Sequence, residues 1–124
     1  MPSRREDCLF CDIVREGAYV AKTKGFVAIN DINPQAETHI LIIPERHVDT
    51  FRDVSEFNGG ETKRMLDFIA EVARDAGLTD YQVITNVGRS AGQTVFHLHW
   101  HVIGDTASHF DSVAQMTAVT ELSA

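Results

Sequence analysis

The chain has 124 residues, with 11 Lys and Arg against 18 Asp and Glu, so its formal net charge is -7 at pH 7. This length fits a single domain, residues 1–124, that is large enough to bury a hydrophobic core. The acidic balance argues against a nucleic-acid partner, because binding a polyanionic backbone requires clustered positive charge. No apolar run approaches the roughly 20 residues of a membrane span, and Met1 to Glu6 lacks the hydrophobic stretch of a signal peptide. We therefore expect a cytoplasmic protein with no membrane partner.

The first half of the sequence predicts a short helix followed by three strands. Residues 1–7 are polar and are expected to be frayed. Apolar residues recur at helical spacing from Cys8 to Glu16, and Gly17 follows as a helix stop. The next elements are a hairpin of Tyr19 to Lys22 and Phe26 to Asn30, a turn at Asp31 to Ala36, and a β-branched central strand at Thr38 to Pro44.

The second half predicts one long helix and two further strands. Ser55 to Leu78 carries an apolar stripe at helical spacing, formed by Met65, Ile69, Val72, Ala73 and Ala76, and Gly77 is a suitable C-cap. A strand from Tyr81 to Val87 leads into a glycine-rich loop and then into a histidine-rich strand. The fold class is therefore α+β, an antiparallel sheet with one long and one short helix. The tail at Asp105 to Ala124 has the pattern of a modest helix.

Three of the six histidines alternate with apolar residues near the end of the chain. In an extended strand His97, His99 and His101 share one face, while Leu98 and Trp100 share the other. Such a face could be a polar surface strand, a metal site or the site of a histidine nucleophile. The residues before it favour an anion-binding site over a catalytic metal, because they offer small, amide and hydroxyl groups and no carboxylate. These residues are Asn86, Gly88, Ser90, Gly92, Gln93 and Thr94.

Several other polar residues leave more than one interpretation open. Cys8 and Cys11 form a CxxC pair, which could be two free thiols or half of a zinc site, whereas a redox pair would need a βαβ setting that is not evident here. Asp31 is a candidate ribose ligand or a turn-capping carboxylate. His39 is expected to be a structural histidine, and His47 is a candidate ligand or a solvated loop residue.

The run His97-Leu98-His99-Trp100-His101-Val102-Ile103, preceded by Gly92-Gln93-Thr94-Val95, resembles the motif of the histidine triad (HIT) family, and most of all its Hint branch. Three further segments fall in the order that the resemblance expects: Leu9-Phe10-Cys11-Asp12-Ile13-Val14, Asn30-Asp31-Ile32-Asn33-Pro34-Gln35-Ala36, and Thr38-His39-Ile40-Leu41-Ile42-Ile43-Pro44 through His47. The tail departs from that branch, since His109-Phe110 stands where a tryptophan is expected.

The resemblance implies a HIT-like sheet that continues across a homodimer, and a hydrolase or transferase acting on purine nucleoside monophosphate derivatives such as phosphoramidates. The implied catalytic residues are His99 as the nucleophile that forms a nucleotidyl-histidine, His101 beside the leaving group, and His97 in a structural role. The implied nucleotide-binding residues are Phe10, Ile29, Asp31, Ile32, Asn86, Gly92, Gln93, Thr94 and Val95. The implied structural zinc ligands are Cys8, Cys11, His47 and His97. A dinucleoside polyphosphate hydrolase and a nucleotide-binding scaffold with vestigial catalysis are the alternatives.

Overall fold

The computed structural model describes residues 8–105, so the expectations for residues 1–7 and for the tail after Asp105 lie outside it. The helices are α1 (Leu9–Glu16) and α2 (Gly59–Asp75). The strands are β1 (Ala21–Thr23), β2 (Phe26–Asn30), β3 (Thr38–Pro44), β4 (Tyr81–Ile84) and β5 (Trp100–Gly104). Two 3₁₀ turns lie at Phe51–Glu56 and Arg89–Ala91. The expected α+β class is confirmed.

The five strands form one sheet in the order β1-β2-β3-β5-β4, and every neighbouring pair is antiparallel. The most apolar strand, β3, therefore lies at the centre, where both of its edges are paired. Its partner β5 is held in a register that sets Leu41 opposite His101 and Ile42 opposite Trp100. Because successive side chains alternate between the faces of a sheet, this register places His101 on the same face as Leu41.

The two helices cover opposite faces of the sheet. The α2 side holds the larger core, in which Met65, Phe68 and Ile69 pack on Ile42 and Val102. On the other side the buried residues of α1, together with Cys8, pack against Val27, Leu41 and Ile43. Both faces of the central strands are thus buried, and this explains the nearly continuous apolar run in β3.

The helix ends follow from local sequence. The Sγ atom of Cys8 accepts the N–H of Cys11 as the N-cap of α1, and Gly17 ends the helix at φ 82°, a conformation that favours glycine. The predicted start of the long helix at Ser55 is wrong. Asn58 and Glu61 instead form a reciprocal capping box, so α2 begins after Asn58.

No helix within residues 8–105 is both long enough and apolar enough to cross a bilayer.

Candidate active site and metal cluster

The three triad histidines lie between the sheet and the segments that cover its α1 side. His97, His99 and His101 are 0, 2 and 0 % exposed, so they do not form a polar surface strand. The rings of His99 and His101 are neighbours, with centroids 5.2 Å apart, and the ring of Phe10 meets His99 edge to face at 4.8 Å. The alternation in the sequence therefore predicted a shared imidazole face, but that face is buried.

The predicted strand through all three histidines is too long, because β5 begins only at Trp100. Before that residue, other groups replace the hydrogen-bond ladder of a strand. The N–H of Leu98 donates to the carbonyl of Val48, and the hydroxyl of Thr85 donates to the carbonyl of His99. These contacts keep the chain extended enough to preserve the alternation of side chains without strand pairing.

The geometry around His99 fixes which of its ring nitrogens carries the proton. Nδ1 lies 2.7 Å from the backbone carbonyl oxygen of His97. A carbonyl oxygen can only accept, so Nδ1 of His99 must donate, and the neutral ring then has its lone pair on Nε2. This is the tautomer that a nucleophilic imidazole needs.

His39 contacts the last triad histidine, a role that the sequence did not predict. Its Nε2 lies 2.8 Å from Nδ1 of His101 and 3.3 Å from a carboxylate oxygen of Asp31. Burial lowers the pKa of His39 below its ordinary value of 6.5, although the Asp31 carboxylate opposes that shift. The alternative turn-capping contact of Asp31 is also present, because Oδ1 accepts the N–H of Asn33 at 2.8 Å. Strand β3 therefore adds a fourth histidine to the site.

A cavity of about 200 Å³ opens between α1, the end of β2 and the segment before the triad. Of the nine residues expected to bind a nucleotide, it brings six together: Phe10, Ile29, Asp31, Ile32, Thr94 and Val95. Asn86, Gly92 and Gln93 are not among its lining residues. Leu9, Ile13 and Leu41 also line it and were missed, although Leu9 and Ile13 flank the predicted Phe10 on α1. A larger depression of about 420 Å³ beside the start of α2 has no histidine or cysteine in its lining.

Hydrogen bonds from the side chain of Gln93 hold the glycine-rich loop. This side chain is 1 % exposed, accepts the N–H of Gly88, and donates to the carbonyls of Asp49 and Val95. The N–H groups of Ala91, Gly92 and Gln93 bond within the loop as well. The side-chain amide of Gln93 is therefore bonded within the protein and holds the loop, and within the loop Thr94 and Val95 are the residues that line the cavity.

The four expected zinc ligands form one buried cluster. The donor atoms of Cys8, Cys11, His47 and His97 all lie within 4.8 Å of one another, and this group could hold a metal ion. Three Sγ to Nδ1 separations are 3.3, 3.3 and 3.5 Å. A tetrahedral zinc ion, with bonds of about 2.3 Å to sulfur and about 2.1 Å to nitrogen, sets its sulfur and nitrogen ligand atoms about 3.6 Å apart. The donor set and its spacing therefore fit zinc.

The hydrogen bonds of the outer ring nitrogens of His47 and His97 also favour zinc binding. Nε2 of His97 lies 2.8 Å from the carbonyl oxygen of Pro44, and Nε2 of His47 lies 2.7 Å from a carboxylate oxygen of Asp49. Both partners accept hydrogen bonds, so each neutral ring keeps its lone pair on the Nδ1 that faces the cysteines. Burial lowers the pKa of His97 to about 4 and raises the pKa of the Cys8 thiol to about 11. A bound cation would oppose the second of these shifts by stabilising the thiolate.

The family model described as HIT domain matches residues 14–108, and the chain belongs to this family. Among relatives, it is 36% identical over 104 residues to the purine nucleoside phosphoramidase of Escherichia coli K12, covering 80% of this chain and 87% of that protein. It is 34% identical over 103 residues to protein HitA of Neisseria gonorrhoeae, covering 80% of this chain and 96% of that one.

Solved structures agree with this assignment. A HIT family hydrolase from Legionella pneumophila Philadelphia 1 superposes with a TM-score of 0.74 at 36% identity, over 79% of this chain and 92% of that chain. A histidine triad protein from Clostridium difficile gives a TM-score of 0.72 at 32% identity, over 87% of this chain and 99% of that chain. The antiparallel sheet with its helices is therefore the fold of HIT proteins.

Proposed function

We propose that the protein is a nucleotide hydrolase or transferase that cleaves purine nucleoside monophosphate derivatives, of the phosphoramidate type, through a nucleotidyl-histidine. The observation that carries the proposal is the bond from His99 Nδ1 to the carbonyl of His97, because it leaves the Nε2 lone pair for attack. The similarity to hydrolases, one of them a purine nucleoside phosphoramidase, supports the same reaction class.

The cavity supports a nucleoside as the ligand. Its walls are apolar at Phe10, Ile29 and Ile32, which suits the flat faces of a purine base. Asp31 is the carboxylate among its lining residues, and a carboxylate with one oxygen in a turn still has lone pairs for ribose hydroxyls. Phe10 contacts both this cavity and the ring of His99, so a nucleoside bound there would carry its α-phosphate toward the triad.

The reaction then has two displacement steps. In the first, Nε2 of His99 forms a bond to the α-phosphorus, the bond from phosphorus to the leaving nitrogen breaks, and the amine takes that electron pair and a proton from solvent water. His101 donates a hydrogen bond to a phosphoryl oxygen, where negative charge develops. In the second, water attacks the same phosphorus and gives one proton to the solvent, the nucleoside monophosphate is released, and the electron pair of the bond between phosphorus and histidine returns to Nε2 of His99.

The test is to incubate the protein in parallel with adenosine 5′-phosphoramidate and with diadenosine polyphosphates. We expect AMP from the phosphoramidate and a transient adenylyl group on His99. His99→Ala should lower turnover by at least about a hundredfold while the melting temperature stays close to wild type. Preference for the polyphosphates would favour the dinucleoside polyphosphate hydrolase. Nucleotide binding without turnover of either substrate would favour a scaffold with vestigial catalysis.

We further propose that Cys8, Cys11, His47 and His97 hold a structural zinc ion. With four protein ligands such a site stabilises the fold and leaves no position for a reacting water. The cluster therefore holds α1 and the start of the triad together, and we expect no catalytic metal. A zinc–thiolate site needs reduced cysteines, which agrees with the cytoplasmic location we propose.

We also propose a homodimer in which β4 extends the sheet into a second copy. In residues 8–105, β4 pairs only with β5, its Val83 is 44 % exposed, and the buried Oε1 atom of its Gln82 has no hydrogen-bond partner. An edge strand with such groups is suited to pairing with another copy. Sedimentation should give twice the chain mass for wild type and a monomer for Val83→Lys. Val20→Lys, at a residue 52 % exposed, is the matched control.

A further inference from the structure

A second cluster of possible metal ligands lies on the same face of the sheet as the triad. Donor atoms of Asp31, His39 and His101 all lie within 4.8 Å of one another. Two imidazoles and a carboxylate could bind a transition metal, but they could also form a chain of hydrogen bonds. The positions of the ring protons decide between the two.

The backbone before β3 fixes the proton of His39. The N–H of Gln35 points at Nδ1 of His39, with the two nitrogens 3.0 Å apart. A backbone N–H can only donate, so Nδ1 must be the accepting nitrogen, and the proton of the neutral ring is on Nε2. A metal ion between His39 and His101 would need the lone pair of Nε2, and would move the proton to Nδ1, against the Gln35 N–H. His39 and His101 are therefore built as a hydrogen-bonded pair, with a carboxylate oxygen of Asp31 3.3 Å from the shared Nε2 of His39.

The cysteine cluster has the opposite arrangement, which serves as an internal comparison. There the rings of His47 and His97 turn Nε2 toward a carboxylate and a carbonyl, both of which accept. The lone pairs thus face the cysteines, as metal binding requires. For His39 the group behind the ring is a donor instead. A backbone carbonyl behind His97 thus prepares that imidazole to bind a metal, whereas a backbone N–H group behind His39 prepares that imidazole to donate a hydrogen bond.

The proton of His39 determines the tautomer of His101. Nε2 of His39 is a donor and lies 2.8 Å from Nδ1 of His101, so that nitrogen accepts and the His101 proton is on its own Nε2. With Nδ1 already accepting a hydrogen bond, His101 is held neutral. It can donate a hydrogen bond through Nε2, but giving up that proton would leave an imidazolate.

We propose that His39 and Asp31 are positioning residues that hold His101 as a neutral Nε2–H hydrogen-bond donor, and that Asp31 joins this histidine pair to the nucleoside cavity. Asp31 contacts His39 Nε2 and also lines the cavity. Its carboxylate is therefore shared between nucleoside recognition and the group that stabilises the phosphoryl oxygens. The proposal rests on the proposed function for its kinetic consequences, but the tautomers themselves do not depend on it.

The first experiment is nitrogen NMR of the wild-type protein labelled with ¹⁵N-histidine, which distinguishes the two neutral tautomers by the shifts of both ring nitrogens. We expect His39 and His101 to be Nε2–H and His99 to be Nδ1–H. A proton on Nδ1 of His39 or His101 would overturn the proposal, whatever the enzyme proves to hydrolyse. This measurement needs no variant, so it stands even where a substitution at the buried His39 prevents folding.

The second experiment compares His39→Leu, which removes the donor, with His39→Gln, whose amide N–H can replace it. The substrates are an AMP alkylphosphoramidate and the p-nitrophenyl ester of AMP, whose leaving group needs no proton. We expect kcat of the Leu variant to fall at least about tenfold on both substrates with KM within about threefold, and the Gln variant to recover most of the loss.

Each other outcome has a definite meaning. A loss confined to the phosphoramidate would identify His101 as a proton donor and overturn the neutral-donor proposal. Equal losses in the Leu and Gln variants would reduce His39 to a packing residue and overturn it as well. If wild type cleaves neither substrate, the proposed function fails, and the NMR result alone then decides the tautomers.

Discussion

Asp49→Ala tests the zinc proposal at a residue outside the four ligands. The carboxylate of Asp49 lies 2.7 Å from Nε2 of His47 and is 46 % exposed, so its removal leaves no cavity in the core. Partners of this kind orient the ligating imidazole, and their loss lowers metal affinity about 10- to 100-fold. When zinc is buffered above both dissociation constants, that factor equals about 1.4 to 2.7 kcal/mol of folding free energy.

The assay measures zinc affinity by competition with a chelator and melting temperature with and without zinc. For a chain of this length a change of 1 kcal/mol in unfolding free energy shifts the melting temperature by roughly 4 °C. The zinc-loaded variant should therefore melt about 5 to 11 °C below wild type. The metal-free proteins should melt within about 2 °C of one another, because a half-exposed carboxylate contributes little by itself. Formation of the nucleotidyl-histidine in the folded variant should proceed near the wild-type rate.

Asp67→Ala is the matched control, since Asp67 is a 53 % exposed carboxylate on α2 that pairs with Lys63. It should change neither zinc affinity nor the zinc-dependent part of the melting temperature. An equal loss of stability in zinc-loaded and metal-free Asp49→Ala would refute the reasoning, because the carboxylate would then act on the fold and not through His47. Folded apo-protein that cannot form the adduct would point to a catalytic metal.

Three further predictions concern single residues. Asp31→Asn should weaken binding of AMP at least about threefold more than binding of 2′-deoxy-AMP, because a charge-assisted hydrogen bond is roughly twice as strong as a neutral one. Equal losses of affinity for the two nucleotides in a calorimetric titration would mean that Asp31 only caps the turn. Gln93→Ala should lower the free energy of unfolding, measured in urea, by about 3 kcal/mol, because it removes three buried hydrogen bonds worth about 1 kcal/mol each. A loss below about 1 kcal/mol would contradict the view that Gln93 holds the loop. Acidification from about pH 7 to about pH 5 should lower the free energy of unfolding of wild type more than that of His39→Gln. Burial holds the pKa of His39 below 6.5 in the folded protein, so the unfolded chain binds a proton that the folded chain does not. Parallel plots of unfolding free energy against pH for the two proteins would contradict this.

Much of the fold could be predicted because its determinants are local. The β-branched run of β3 is matched from Thr38 to Pro44, and Gly17 ends α1 as expected, since each depends on a few neighbouring residues. Apolar spacing alone predicts the start of α2 at Ser55, whereas Asn58 and Glu61 stand at capping-box distance in the sequence and set the start after Asn58. The sequence therefore contains a local signal for this helix boundary.

The roles of Gln93 and His39 depend on contacts that sequence spacing does not contain. Gln93 has the chemistry of a phosphate ligand, and only the closeness of the Asp49 and Val95 carbonyls turns its amide away from the cavity. His39 is separated from His101 by 62 positions, and the pairing of β3 with β5 brings the two rings together. An apolar pattern predicts that these strands are buried, but it does not fix their register.

The two ends of β3 finally explain how equivalent histidines on one face acquire different tasks. At its last residue the Pro44 carbonyl accepts from His97 and turns that ring's lone pair toward the cysteines. Just before its first residue the Gln35 N–H donates to His39, which passes a donor on to His101. Both rings carry the proton on Nε2, but the carbonyl behind His97 leaves its lone pair facing the cysteines, whereas the N–H group behind His39 leaves its proton facing His101. The alternating motif supplies three imidazoles in a row, and the backbone polarity of a neighbouring strand decides which of them suits a metal and which a phosphoryl oxygen.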